Sequence, residues 1–131
     1  MRHFEWVGSG TGKTILVVED DVDIRSALLG ILEDEGYAVV GAANGAEALE
    51  HLRSVGLPSL ILLDLMMPVM TGWQFRAEQK QDQNLNRIPV VVISADGNVR
   101  QKAESIDAQG FLKKPIDLDN LLELVEKYTA A

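Results

Sequence analysis

The segment that decides the fold is residues 60–68, with the sequence LILLDLMMP. Its apolar run is interrupted once, by Asp64. A short aliphatic run of this kind is typical of a strand covered on both faces, as in a parallel sheet. An ionised carboxylate inside such a run is costly to bury unless a cation offsets its charge. The segment therefore predicts a buried strand with a carboxylate near its end that needs a raised pKa, a lysine or a metal.

Apolar runs and helical stripes alternate on both sides of this segment. The other apolar runs are residues 15–18, 37–40, 90–93 and 111–112. The segments between them have helical spacing, as in Ile24, Ala27, Leu28, Ile31 and Leu32, or in Leu118, Leu121, Leu122 and Val125. Helix ends are expected at Gly36, Asn44 and Asp117, and a third helix is predicted from about Gly72 to Gln81. Five strand-helix repeats predict an α/β fold with a doubly wound, five-stranded parallel sheet and a short last strand at its edge.

Composition limits the classes of function. The 131 residues suffice for one domain, predicted at 14–131, and residues 1–13 have the glycine-rich composition of a flexible leader or expression remnant. The net charge of -8 disfavours direct binding to nucleic acid or anionic lipid. The absence of cysteine excludes disulfides and thiolate metal sites. No apolar run approaches the roughly 20 residues that span a bilayer, so no membrane association is predicted. A cytoplasmic location is expected because the chain has no cysteine to form disulfides.

Three weaker motifs do not hold. Residues 7–14, VGSGTGKT, are similar to a phosphate-binding loop, but Val7 replaces its first glycine and a strand follows instead of a helix. A solvated linker is the better interpretation. Asp21 and Asp23 begin like a calcium loop, yet Arg25 stands where an oxygen ligand belongs. The isolated His51 is interpreted as a surface histidine.

Reactive side chains follow four of the five predicted strands. They are Glu19, Asp20 and Asp21 after the first strand, Asp64 at the third, Ser94 at the fourth, and Lys113 and Lys114 at the fifth. Sites in doubly wound sheets lie outside the carboxyl ends of the strands, so these groups are expected to converge. Capping of the next helix is the alternative role for the acids from Asp20 to Asp23. The hard oxygen ligands favour Mg²⁺ or Mn²⁺ over zinc, and a metal-held carboxylate beside a lysine predicts a phosphoryl-aspartate site.

On these residues the sequence resembles the receiver domain of two-component response regulators. The resemblance extends from about Thr14 to Tyr128. Its motifs are ILVVEDD at 15–21, LLDLMMP at 62–68 with Gly72, VISA at 92–95 and GFLKKP at 110–115. Four motifs in order, each at a strand end, are specific where one alone would be weak. The resemblance implies a flavodoxin-like sheet with strand order 2-1-3-4-5.

The resemblance also implies roles for the acids. Asp64 is the implied phosphoacceptor, Asp20 a direct Mg²⁺ ligand and Glu19 a ligand through metal-bound water. The backbone carbonyl of Met66 is the implied further ligand. An aspartate-nucleophile phosphatase is a weaker alternative, because that class typically has a second aspartate where this chain has Met66.

The remaining implied roles concern phosphate pairing and switching. Lys114 is the implied phosphate-pairing lysine, with a cis bond to Pro115, and Lys113 is a solvated neighbour. Ser94 stands for the commoner threonine and keeps its hydroxyl. Phe111 stands for the commoner tyrosine at the switch position and lacks a phenol donor.

These roles imply a signalling domain and not a metabolic enzyme. A histidine kinase or a histidine phosphotransfer protein is the expected donor of a phosphoryl group to Asp64, with Mg²⁺ as cofactor. The domain is expected to promote its own aspartyl phosphorylation and dephosphorylation. Its helix 4, strand 5 and helix 5 surface, roughly residues 98–128, then acts on an unidentified downstream protein. A pseudo-receiver that works by protein interaction alone is the other alternative, although the acidic and lysine positions that such domains tend to lose are present.

Overall fold

The computed structural model of the protein describes residues 13–54 and 56–130. Strands and helices alternate through this part of the chain. The strands are β1 (Thr14–Val18), β2 (Ala38–Ala42), β3 (Leu60–Asp64), β4 (Val90–Ser94) and β5 (Gly110–Lys113). The helices are α1 (Val22–Asp34), α2 (Gly45–Ser54), α3 (Gly72–Gln81), α4 (Val99–Ser105) and α5 (Leu118–Thr129). The predicted alternation is confirmed, although β2 lies slightly later than residues 37–40.

The five strands form one parallel sheet in the order β2-β1-β3-β4-β5. This is the order that the resemblance implied, with the short β5 at an edge as predicted. The register pairs Val18 with Leu63 and Ser94 with Lys113. The carboxyl ends of β1, β3, β4 and β5 therefore finish side by side, which brings the reactive residues after them to one edge of the sheet.

Two apolar cores cover the two faces of the sheet. Strand residues alternate between them, so that Leu16 and Ile61 belong to one core and Ile15 and Leu62 to the other. Helices α2, α3 and α4 contribute to the first core, and α1 and α5 to the second. Burial on both faces explains why the strands read as continuous aliphatic runs.

The helix ends follow the predicted capping chemistry. Gly36 has a φ of 94°, the left-handed conformation that favours glycine after a helix. The Asn44 side chain accepts a hydrogen bond from the Glu47 N–H at 2.9 Å, and Asp117 caps α5 in the same way at Asn120. These predictions are confirmed.

The prediction of a surface His51 is wrong. Its side chain is buried, with 5% of the residue exposed, because α2 packs against both β2 and α3 and so buries a wider face than one stripe. Its Nε2 lies 3.9 Å from Glu47 Oε1. Sequence periodicity reports one packing face and does not reveal a second.

The apolar stripes of α1 and α5 are only partly buried. Leu28 and Leu121 are covered, but Ala27 is exposed and Leu118 is 47% exposed. The exposed residues line an open apolar groove of about 270 Å³ between the two helices, near Pro115. Helical spacing of apolar residues therefore marks a face that the fold covers only in part at these positions.

Two further expectations concern the ends of the chain and membranes. Residues 1–12, which hold all but the last residue of the predicted leader and most of the phosphate-loop-like stretch, lie outside the described residues. Among residues 13–54 and 56–130, each helix is too short or too polar to cross a lipid bilayer.

Candidate functional site

The turn after β1 delivers the first acids of the site. The Glu19 N–H donates to the Ala42 carbonyl at 3.0 Å, which extends the β1–β2 ladder by one residue. Asp21 caps α1 by accepting from the Ile24 N–H at 3.0 Å. The capping role considered for the acids after the first strand therefore applies to Asp21. Glu19 and Asp20 are directed to the edge of the sheet.

Three carboxylates meet at this edge. One oxygen each from Glu19, Asp20 and Asp64 lies within 4.8 Å of the others. Glu19 and Asp64 are buried, with 0% and 4% of the residue exposed, whereas Asp20 is exposed. The Met66 N–H donates to Asp64 Oδ1 at 3.2 Å and orients that carboxylate. Closely spaced hard oxygens with an opening to solvent fit a divalent cation such as Mg²⁺.

Lys114 provides the ammonium among these acids. Its Nζ lies 2.7 Å from Glu19 Oε1 and 3.6 Å from Asp64 Oδ2. The backbone that carries it is held by a bond from the Lys114 N–H to the Ser94 carbonyl at 2.8 Å, and the bond to Pro115 is cis as the resemblance implied. The neighbouring Lys113 is exposed, in agreement with its expected solvated role.

Burial and neighbouring charges shift the pKa values of both Asp64 and Lys114. Burial, followed by the hydrogen bond and the negative charge of Glu19, raises the pKa of Asp64 from 3.8 to about 7. Burial alone would lower the pKa of Lys114, but its bonds to Glu19 and Asp64 raise that pKa above its usual value. The surroundings of Asp64 thus do not fully offset the negative charge of its ionised form. This agrees with the sequence, which predicted a carboxylate that needs a raised pKa, a lysine or a metal.

Ser94 at the end of β4 contributes the hydroxyl of the site, and Asp96 follows it in the turn to α4. Ser94 is buried, and its Oγ accepts a hydrogen bond from the Asp96 N–H at 3.1 Å. Asp96 in turn pairs with Lys102 on α4, and this hydrogen bond lowers the pKa of Asp96. The hydroxyl of Ser94 is therefore engaged with the β4–α4 turn.

Phe111 lies on β5 and is half-buried. The guanidinium carbon of Arg100 lies 5.3 Å from the centre of its ring, within the range of a cation–π contact. The ring packs against the core shared with α4. Phe111 has no phenol hydroxyl, so its polar contact is with the Arg100 guanidinium over the ring face.

Gly72 is required by the close approach of α3 to β3. A Cβ at this position would lie 2.5 Å from the Asp64 carbonyl oxygen and 2.7 Å from Leu65 Cα, both backbone atoms that cannot easily move. The Gly72 N–H donates to the Leu65 carbonyl at 3.0 Å. The intervening loop includes Val69 at a φ of 67°, an unusual conformation for a β-branched residue. This tight loop holds the end of β3 that presents Asp64.

Two arginines were not recognised as important from the sequence. In the sequence Arg25 stands out only as the residue that breaks a calcium-loop pattern, yet it bonds the backbone of the acidic turn. Arg76 is buried, with only 5% of the residue exposed. Its guanidinium donates to the carbonyls of Ile106 and Asp107 and to the Gln79 side chain. The signal that could have found Arg25 is its position five residues after Asp20, one helical turn into α1. No local signal marks Arg76.

The fold and the site together define the class of protein. The family model of the response regulator receiver domain matches residues 15–126. The chain belongs to this family, and the resemblance found in the sequence is confirmed. Receiver domains are signalling modules of two-component systems that interact with histidine kinases or phosphotransfer proteins, and they generally bind Mg²⁺.

Particular relatives cover most of this chain. Sporulation initiation phosphotransferase F of Bacillus subtilis is 33% identical over 117 residues, which are 87% of this chain and 91% of that protein. The crystal structure of the receiver domain of a signal transduction histidine kinase from Syntrophus aciditrophicus has a TM-score of 0.80 and 31% identity, and the match covers 90% of each chain. Response regulator Rre1 of Synechocystis is 33% identical over 89% of this chain but only 52% of its own length. The chain thus spans about half the length of some curated relatives that it matches.

Proposed function

We propose that this domain accepts a phosphoryl group on Asp64 from the phosphohistidine of a histidine kinase or phosphotransfer protein. The observation that carries the proposal is the placement of a buried Asp64, at the end of a central strand, between two acids and Lys114. The carboxylate oxygen attacks phosphorus, the bond from phosphorus to the donor nitrogen breaks, and the imidazole leaves. An in-line displacement of this kind depends on positioning and on charge neutralisation.

The residues that would hold Mg²⁺ are Glu19, Asp20, Asp64 and the backbone carbonyl of Met66. A bound Mg²⁺ supplies positive charge to the phosphoryl oxygens. Lys114 is close enough to Asp64 to pair with a phosphoryl oxygen after transfer, and the Ser94 hydroxyl would donate to another. Ser94 Oγ now accepts from the Asp96 N–H, and we expect the side chain to shift inward so that its own O–H can donate to that oxygen.

The movement of Ser94 gives the proposed route by which the signal leaves. Its displacement loosens the β4–α4 turn, which Asp96 and Lys102 tie to α4. Phe111 would then rotate inward and release Arg100, so that the surface of α4, β5 and α5 changes. We propose that a downstream protein binds the changed surface of α4, β5 and α5.

The test is intact mass after incubation with Mg²⁺ and acetyl phosphate. The parent is expected to gain one phosphoryl group, and Asp64→Asn none. Chelation of divalent metal should abolish the gain. Asp23→Asn, which removes an exposed acid from the first turn of α1, is the matched control and should behave like the parent. Equal uptake by Asp64→Asn and the parent would contradict the assignment.

A further inference from the structure

The side chain of Arg25 contacts the acidic turn, which holds Glu19 and Asp20. Its Nη1 lies 2.7 Å from the carbonyl oxygen of Glu19 and 3.5 Å from that of Asp20. The guanidinium is permanently charged and half-buried on the first turns of α1. It therefore bonds the backbone of two of the three residues whose carboxylates form the acidic cluster.

The path of the Arg25 side chain depends on Gly41 in β2. A Cβ at residue 41 would lie 3.1 Å from Arg25 Cδ and 3.0 Å from Leu29 Cδ1, closer than ordinary contacts. Gly41 pairs with Val17 in the sheet, so this space lies beside the end of β1. The missing side chain at Gly41 lets the stem of Arg25 cross β2 and reach the Glu19 carbonyl.

The remaining polar groups of Glu19 are restrained as well. Its N–H bonds the Ala42 carbonyl at 3.0 Å, its Oε2 accepts from the Asp21 N–H at 3.1 Å, and its Oε1 faces Lys114 at 2.7 Å. Arg25 adds the restraint on the carbonyl. Glu19 is thereby held at each of its backbone and side-chain polar groups, and the adjoining Asp20 takes its orientation from the same turn.

The two cations near the acids act on different atoms. Lys114 contacts carboxylate oxygens directly, and such a contact competes with a metal for the same lone pairs. Arg25 contacts main-chain carbonyls, so it adds positive charge near the turn without occupying those lone pairs. We propose that Arg25 is a positioning residue that holds the Glu19–Asp20 turn in the geometry that binds Mg²⁺. This inference rests on the proposed function, because it assigns a role to Arg25 in the same site.

A purely structural role for Arg25 predicts something different. If Arg25 only attaches α1 to the sheet, its loss lowers the free energy of unfolding but leaves the folded site unchanged. Arg25→Met keeps most of the stem and removes the donors. Arg25→Lys keeps the charge and one donor group. Leu29→Ala removes the other side chain that packs over Gly41, and a leucine side chain has no hydrogen-bond donor for the turn, so it is the matched packing control.

Two readouts in the unphosphorylated protein separate these roles. The first is the hydrogen-exchange rate of the Asp21 amide without metal, since this N–H bonds the Glu19 carboxylate. We expect it to rise roughly tenfold in Arg25→Met, because local opening of the turn becomes easier. The second is the Mg²⁺ dissociation constant from amide chemical shifts, which should rise about five- to tenfold, the usual scale for losing a charge-assisted hydrogen bond.

The other variants complete the test. Arg25→Lys should recover both values to within about twofold of the parent, and Leu29→Ala should leave both near the parent even if it lowers the melting temperature. Unchanged values in Arg25→Met would overturn the inference, as would equal effects of Arg25→Met and Leu29→Ala, or of Arg25→Met and Arg25→Lys. Arg25→Gln, whose amide is too short to reach the turn, takes the place of Arg25→Met if that variant does not fold.

Failure here is distinguishable from failure of the proposed function. Both readouts are taken without phosphoryl transfer, so a negative result leaves the acceptor assignment of Asp64 in place. Absence of phosphoryl uptake by the parent would contradict that assignment and would not alter the exchange rate of the Asp21 amide.

Discussion

Replacement of Asp64 by asparagine should stabilise the metal-free protein in a pH-dependent way. The pKa of Asp64 is about 7 in the folded protein against 3.8 ordinarily, because of burial and the neighbouring Glu19. Between these pH values the native state holds a proton that the unfolded chain has lost, so stability falls as pH rises from about 4 to about 7. About three pKa units at about 1.4 kcal/mol each give roughly 4 kcal/mol as the upper bound. Because charged side chains surround Asp64, we expect less than the full value, a loss of about 2 to 4 kcal/mol.

Asparagine removes this titration while keeping the shape of the side chain. The assay is urea unfolding of parent and Asp64→Asn at pH 5 and pH 8 in the presence of a chelator. Part of the loss has already occurred at pH 5, so the advantage of the variant should grow by roughly 1 to 2.5 kcal/mol between these pH values. Asp119→Asn, at the exposed first turn of α5, reports the effect of removing one charge from a chain of net charge -8. An advantage for Asp64→Asn that is the same at both pH values would refute the reasoning. Saturating Mg²⁺ should reduce the advantage at pH 8, because the metal stabilises the parent's carboxylates.

Three other predictions concern the frame around the site and its output. Gly72→Ala should destabilise the protein by about 2 kcal/mol or more in urea unfolding, because its Cβ meets backbone atoms of β3; an unchanged midpoint would show that the loop can yield. Arg76→Met should lower the free energy of unfolding by about 3 kcal/mol, because three acceptors lose a buried donor. Lys80→Met, which breaks an exposed pair with Asp107, should lower it by less than about 1 kcal/mol. Similar losses in the two variants would contradict this reasoning. Beryllofluoride, a phosphoryl mimic, should shift amide signals in α4, β5 and α5 through Phe111, and changes confined to the rim around Asp64 would exclude this route.

The sequence determined the fold because local and global signals agree. Aliphatic runs buried on both faces need helices on both sides, and Gly36, Asn44 and Asp117 mark the end of α1 and the starts of α2 and α5. Asp64 could also be singled out from the sequence as the candidate acceptor, since an acid inside the apolar run at 60–67 is costly to bury. These conclusions need only the chemistry of neighbouring residues and the rule that parallel strands end at one edge.

Tertiary structure decided the features that depend on which elements touch. His51 is buried because α2 packs on α3 as well as on the sheet, and a helical period does not encode a second neighbour. The role of Arg25 requires Gly41 beside it, 16 positions along the chain but adjacent in space. Arg76 reaches carbonyls 30 and 31 residues away at the end of α4. Such contacts are set by the packing of whole elements, and sequence spacing carries no record of them.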